Sequence, residues 1–182
     1  VRIVPIKHWW PKQQPANDLG PEEWHRDWKQ FFRSGIYQDF VHEMAVHVFD
    51  EGVSYLFQVE PNLRIHPPGG VCVPWHTDAE FGHLPEEWNV WVPLTETTND
   101  SQRLWIDGYC KNCPCPMVVP FGSALIFHGA EVRHGNVVNT TDITRVSFDF
   151  RLLAKEHYRD TGARTVKYDI PLRVPEYWVE MT

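Results

Sequence analysis

A long apolar run and a basic stretch are both missing from this sequence. No segment approaches the roughly 20 consecutive apolar residues that a membrane-spanning helix needs, and no secretory signal pattern opens the chain. Lysine and arginine number 17 against 24 aspartates and glutamates, a net charge of −7 with no basic face visible. These absences argue against membrane insertion and against general nucleic-acid binding. They lean slightly toward a cationic small molecule over an anionic one. Cysteine is scarce too, with four residues at 72, 110, 113 and 115, three of them crowded into CKNCPC. That spacing matches neither a paired zinc motif nor an extracellular disulfide framework. The expectation is reduced thiols in a cytoplasmic protein, with Cys72 a buried apolar residue. No internal repeat is present. The first residue is Val rather than Met, consistent with a trimmed chain.

Aromatic residues, in contrast, are plentiful: nine tryptophans and ten phenylalanines imply a wide apolar core or an aromatic-lined pocket. A chain of 182 residues fits one domain, 1–182, that buries about two thirds of its unfolded surface. Residues 1–20 read as an irregular lead-in with a short strand at VRIV. The segment GPEEWHRDWKQFFRSG, 20–35, carries helix signals: Pro21 in the first turn, Glu22 and Glu23 at the positive helix start, and Gly35 at the stop. Trp24, Trp28, Phe31 and Phe32 then form one apolar stripe. A second helix is expected from Ile36 to Phe49, with Ile36, Phe40, Val41, Met44, Ala45 and Val48 inward. Its HEMAVH is no zinc-protease motif. His42 and His47 are five apart, roughly 140° around a helix, whereas that motif needs a spacing of four.

From residue 53 the chain turns into short β-rich runs between Pro, Gly and Asn clusters, among them SYLFQVE, WNVWVPLT, SALIFHG and TRVSFDFRLL. Such spacing predicts an antiparallel sandwich or barrel. The expected fold is mainly β: a jelly-roll core over 53–153, a mostly helical lead-in over 1–52 packed outside it, and a C-terminal extension over 154–182.

Chemistry concentrates in VPWHTDAEFGH, 73–83. His76 and Asp78 are two apart, so an extended backbone sends both side chains to one face. One more ligand would complete two histidines and a carboxylate, an arrangement that leaves open positions on iron(II). His128 in IFHGA and His134 in VRHGN compete for that place. A cosubstrate with a distal carboxylate would need an arginine fork. A hairpin through GNVVNTTDI would return Arg145 beside His134, which favours His134. Along the last strand Arg145, Ser147, Asp149 and Arg151 share one face, opposite Val146, Phe148, Phe150 and Leu152. That polar stripe either meets solvent or lines a cavity supplied with partners. Arg151, six residues and roughly 20 Å along the strand from Arg145, cannot share its task. It is a candidate for the substrate pocket.

The ordered motifs LRIHPPGG, WHTDAEFGHLPEEWNVWVPLT, LWID and HGNVVNTTDITRVSFDFR resemble the iron(II)/2-oxoglutarate-dependent oxygenases over roughly residues 60–152. The likeness is to the branch typified by streptomycin-biosynthesis hydroxylase-like proteins. It implies a cupin-like double-stranded β-helix, with iron(II) held by His76, Asp78 and His134 and with 2-oxoglutarate and O2 as cosubstrates. It also implies that Arg145 and Ser147 grip the far carboxylate of 2-oxoglutarate. Related halogenases replace the carboxylate ligand with a small residue, so the intact Asp78 points to hydroxylation of a small molecule. By the same resemblance Asn89 faces cosubstrate or substrate, and Trp91 and Trp105 either wall the pocket or pack the core. Arg64 is a pocket candidate, and His83 is a substrate contact or an ordinary loop histidine. The segment DGYCKNCPCP and His128 depart from the branch, where an acidic glycine-containing connection and an aspartate are common. The other classes open to this sequence are a non-catalytic cupin-like binding domain and a zinc hydrolase on a β-barrel. Oligomeric state is not readable.

Overall fold

The computed structural model describes residues 1–7, 28, 31–33, 35–110 and 113–181. Most of the first expected helix, including Trp24, lies outside them. Within it, Trp28, Phe31, Phe32 and Arg33 are helical.

The first strand, β1 (Arg2–Pro5), precedes helix α1 (Gly35–Ala45). Then come β2 (Tyr55–Gln58), β3 (Asn62–His66), β4 (Trp88–Pro93), β5 (Trp105–Cys110) and β6 (Cys113–Pro116). The chain closes with β7 (Ser123–Phe127), β8 (His134–Gly135), β9 (Arg145–Ala154) and β10 (Trp178–Glu180). A seven-stranded sheet has the order β1-β7-β4-β9-β2-β10, with β3 also on β9, and a three-stranded sheet has the order β6-β5-β8. Every strand pair is antiparallel. This is the mainly β jelly roll read from the sequence. Strands from the lead-in and from the C-terminal extension, β1 and β10, join its large sheet.

Helix α1 forms because Tyr37, Phe40, Val41, Met44 and Ala45 recur at helical spacing, and all five are buried. Phe40 meets Phe148 and Phe150 with ring centroids 5.7 and 5.9 Å apart, and Tyr37 meets Phe150 edge-on at 5.7 Å. The helix stops at Ala45 rather than Phe49, where the backbone tightens into three-residue bonds from His47 to Met44 and from Val48 to Ala45. Ile36, expected inward, is 47% exposed.

Strand β9 is the central element. All ten of its residues are buried, so neither face meets solvent. Val146, Phe148, Phe150 and Leu152 join α1 in the main core, while the alternate, polar face looks toward the smaller sheet. One edge of β9 pairs with β3 through 145–149 and with β2 through 152–154; the other pairs with β4. A second apolar cluster, including Trp91, Leu104, Ile106, Leu125 and Phe127, lies beside that polar face.

Two expectations fail here. No hairpin joins His134 to Arg145, because β8 pairs with β5 and β9 pairs with β2, β3 and β4. Cys115 is disulfide-bonded, so the CKNCPC thiols are not all reduced; its neighbouring cysteines sit close across the β5–β6 pair, with Cys110 in register with Cys113. Among the described residues no helix is long and apolar enough to cross a membrane.

Candidate metal and anion site

His76 and His134 face each other through an isolated antiparallel bridge, with backbone N–H to O distances of 3.0 and 2.9 Å. Thr77 remains extended, so Asp78 emerges beside His76 as its two-residue spacing requires. Asp78 then starts a short 3-10 turn, Asp78–Phe81, whose Glu80 carboxylate accepts from the Thr77 N–H at 2.9 Å. Gly82 closes the turn at φ 83°, a left-handed conformation suited to glycine. A backbone bond from Asp78 N–H to the Gly129 carbonyl, 2.8 Å, ties the turn to the loop after β7.

The ring nitrogens are assigned by their partners. His76 Nδ1 lies 2.8 Å from the Pro74 carbonyl and His134 Nδ1 lies 2.8 Å from the Val132 carbonyl. A carbonyl only accepts, so each Nδ1 carries a proton and Nε2 is the ring atom left for a metal. Both Nε2 atoms converge on one carboxylate oxygen: Asp78 Oδ1 is 3.1 Å from His76 Nε2, within hydrogen-bond distance, and 3.7 Å from His134 Nε2. Ligand atoms of the three residues lie within 4.8 Å of one another. Two imidazoles with their second nitrogen tied to a carbonyl, plus one carboxylate, are a donor set that fits a first-row divalent metal.

Asp78 is 1% exposed. Burial alone would raise its pKa, but the Arg151 guanidinium and His76 outweigh that and hold it well below the carboxylate range. Arg151 donates to Asp78 Oδ2 from Nη2 at 2.7 Å and Nε at 3.1 Å, and Asn89 Nδ2 adds a third bond at 2.7 Å. Burial lowers the pKa of His134.

One cavity is lined by the three residues together with Arg64, Trp91, Asn136, Arg145, Asp149 and others. The polar stripe of β9 therefore faces inward. Arg145 is 1% exposed and, among the described residues, pairs with no carboxylate. Its Nε donates to the Gln102 carbonyl at 3.1 Å, Nη1 to Ser147 Oγ, and Nη2 to His66 Nδ1 at 3.3 Å. His66 can accept there because its Nε2–H is taken by the Gly70 carbonyl at 2.9 Å. Burial pushes the Arg145 guanidinium down to about 10. Its carbon lies 5.8 Å from the Trp91 ring centroid. Cys72, expected to be a buried apolar residue, is a free thiol of intermediate burial.

The other candidates separate. Arg64 forks onto Asp149, Nε to Oδ1 at 2.7 Å, in the same cavity. Asn89 is committed to Asp78 through its amide N–H, and its Oδ1 is a buried acceptor without a partner. One amide N–H remains uncommitted, and Asn89 lines the same cavity as the three residues and Arg145. His83 bonds Glu87 at 2.8 Å and does not line the cavity. Trp105 does not line it either; its indole donates to the Asp100 carbonyl at 2.9 Å. His128, the rival third ligand, packs against Trp88 with ring centroids 3.6 Å apart and planes tilted by 40°.

Sequence reasoning missed Gly129 and His66. A methyl at Gly129 would lie 2.4 Å from Asn89 Nδ2 and 2.6 Å from Asp78 Oδ2, so only glycine lets this loop approach the carboxylate. The only signal for His66 was its two-residue spacing from Arg64 in LRIH.

No family model matches the sequence. Over 146 residues the chain is 38% identical to the streptomycin biosynthesis protein StrG of Streptomyces griseus, spanning 80% of the chain and 68% of StrG. The chain belongs to the StrG family. Among solved structures it is similar to HygX of Streptomyces hygroscopicus, whose crystal holds nickel and 2-oxoglutarate (13% identity, TM-score 0.52, 84% of this chain and 86% of HygX). EvdO2 of Micromonospora carbonacea var. aurantiaca matches with TM-score 0.52 at 16% identity, over 72% of this chain and 64% of EvdO2. The non-heme monooxygenase ThoJ in its nickel complex matches with TM-score 0.50 at 23% identity, over 63% of this chain and 50% of ThoJ. The StrG-family chain thus spans half of ThoJ and just under two thirds of EvdO2, and these likenesses are likenesses of fold.

Proposed function

We propose that this StrG-family protein is an iron(II)- and 2-oxoglutarate-dependent oxygenase that hydroxylates a C–H bond of a small molecule. The observation that carries the reading is the pairing of two features in one cavity. A His76–Asp78–His134 donor set stands at one place, and a buried arginine with no carboxylate partner stands at another. A cation kept dry without an anion is costly. An anionic ligand would offset that cost, and a dicarboxylate that also reaches the metal fits both features.

Bound iron(II) and 2-oxoglutarate supply the oxidising chemistry: substrate C–H, O2 and 2-oxoglutarate give substrate C–OH, succinate and CO2. The chain's own residues do the rest. His76, Asp78 and His134 hold the metal. Arg145, oriented by Ser147, His66 and the Gln102 carbonyl, grips the distal carboxylate. Trp91, Leu104 and Phe127 wall the cavity and exclude water. Arg64, at the cavity and a third exposed, is positioned to meet substrate. Nothing in these roles needs a nucleic acid or membrane partner. Kinship with a streptomycin biosynthesis protein supports a substrate among small molecules of secondary metabolism, such as a sugar, an amino acid or a peptide-derived intermediate.

The test is direct. Anaerobic protein given iron(II) and 2-oxoglutarate should develop a weak visible charge-transfer band. With O2, a panel of small molecules should reveal one that raises succinate release clearly above the uncoupled rate. Metal uptake with neither band nor succinate would leave a binding domain or a zinc hydrolase, and would overturn the proposal.

A further inference from the structure

The carboxylate of Asp78 is held unequally. Its Oδ2 accepts three hydrogen bonds, from Arg151 Nη2 and Nε and from Asn89 Nδ2, while Oδ1 faces only His76 and His134. A carboxylate oxygen offers about two lone-pair directions, so Oδ2 has none left for a metal. Arg151 is itself oriented from behind. Its Nη1 donates to Tyr177 Oη at 2.9 Å and reaches Gln58 Oε1 at 3.4 Å, and Glu87 Oε2 lies 3.7 Å from its Nε. Glu87 in turn is fixed by His83 at 2.8 Å and the Leu84 N–H at 2.9 Å. Arg151, Asp78, Glu87, Gln58 and Tyr177 are all buried, so no water competes for these bonds.

We propose that Arg151 is a positioning residue that dedicates Asp78 Oδ1 to the metal, and that Tyr177, from the C-terminal segment, sets the angle of Arg151. The inference rests on the reading of His76, Asp78 and His134 as metal ligands. It goes beyond that reading by coupling the metal centre to residues after the jelly-roll strands. Two donors from one planar guanidinium converge on Oδ2 and, with Asn89 Nδ2, saturate that oxygen and turn Oδ1 toward the histidines. A lysine would keep the charge but lose that fork. Freed from it, Asp78 could turn its second oxygen toward the ion and occupy a position the cosubstrate needs.

Cobalt(II) titration of the full chain, followed by its visible absorption, tests this without turnover. The wild type should bind one cobalt, and His76→Ala should abolish that uptake. Arg151→Lys should weaken cobalt binding by about tenfold or more and change the shape of the absorption band. Tyr177→Phe, which removes one oxygen and conserves volume, should shift affinity and band in the same direction by a smaller factor. If Arg151→Lys fails to fold, Tyr177→Phe alone is decisive. Wild-type affinity with an unchanged band in Tyr177→Phe, or a lowered Tm with an unchanged band, would overturn the positioning role. A wild type that takes up no cobalt would overturn the metal reading along with it.

Discussion

Two guanidiniums stand on one face of β9, six residues apart, and their surroundings are opposite. Arg151 touches Asp78, lies near Glu87, and is held by Tyr177. Burial opposes its charge, but these partners raise its pKa well above the ordinary value. Arg145 has a hydroxyl, an imidazole and a carbonyl, and burial takes it down to about 10. The first cation is satisfied by the fold. Under the proposed function the second is the one that takes an anion. The same residue type on the same strand would then serve structure at one end and ligand at the other, and the difference lies in which carboxylates the neighbouring segments supply.

The largest effect should come from removing the satisfied cation. Arg151→Met leaves Asp78 and Glu87 buried without a counter-charge. Breaking a buried pair in this way costs about 3–5 kcal/mol, to be read by urea denaturation of the metal-free protein. A loss under about 1 kcal/mol would mean that water reaches these carboxylates and that the two arginines are less different than the geometry states.

Arg145→Leu is the counterpart. It should lower 2-oxoglutarate affinity by about 100-fold, the equivalent of about 3 kcal/mol for charge-assisted bonds to a carboxylate. Iron(II) or cobalt(II) affinity should stay within about twofold, because no triad residue touches Arg145. Stability should stay level or rise, since an apolar side chain replaces a buried unpaired cation. Isothermal titration with the metal-loaded protein measures the first, and denaturation the last. Full cosubstrate affinity in the variant would remove Arg145 from its proposed role.

The contrast between the two arginines was only half legible in the sequence. Alternation along TRVSFDFR puts both on one face, and period two is a strong local signal. Which partners each would meet depends on β3, β4 and the loop at Asp78, all brought there by long-range pairing. The convergence of His76, Asp78 and His134 could be read from spacing and ordered motifs. The route to it could not: the expected hairpin from His134 to Arg145 gives way to two facing sheets, and the same residues meet across the cavity instead of along a turn. Gly129 illustrates the limit. Its importance is a missing methyl against two side chains far away in sequence, and no local pattern encodes that. The disulfide of Cys115 was equally hidden, because spacing alone does not tell a thiol from a bridge.

Asp149, between the two arginines on the same face, sharpens the comparison at intermediate size. Burial would raise its pKa, but the fork from Arg64 lowers it below the usual value. A depressed carboxyl contributes stability above its unfolded pKa of about 3.9, and that contribution is lost as pH falls through the lowered value. Asp149→Asn should therefore destabilise the protein near neutral pH. The effect should be about 2 kcal/mol, below the fully buried case because Arg64 is a third exposed and can turn to water. The difference from wild type should shrink as pH falls below about 4. A difference that holds constant down to pH 2 would show that packing, and not the ion pair, carries the effect.

The smallest effect belongs to Trp105, for which the resemblance left pocket wall and core packing open and which is not among the residues that line the cavity. Its indole N–H bonds the Asp100 carbonyl and its backbone pairs with Gly135. Trp105→Phe loses one partly exposed hydrogen bond, about 1 kcal/mol, and should leave metal and 2-oxoglutarate affinities unchanged. Trp91→Phe is the matched control, because Trp91 lines the cavity and lies under Arg145. Only that variant should weaken cosubstrate binding, by a factor of a few through the lost cation–π contact of about 1 kcal/mol. If Trp105→Phe shifted cosubstrate affinity as much as Trp91→Phe, the cavity would extend beyond β4 to Trp105 on the smaller sheet's central strand, and the ligand end of β9 would be wider than its lining residues indicate.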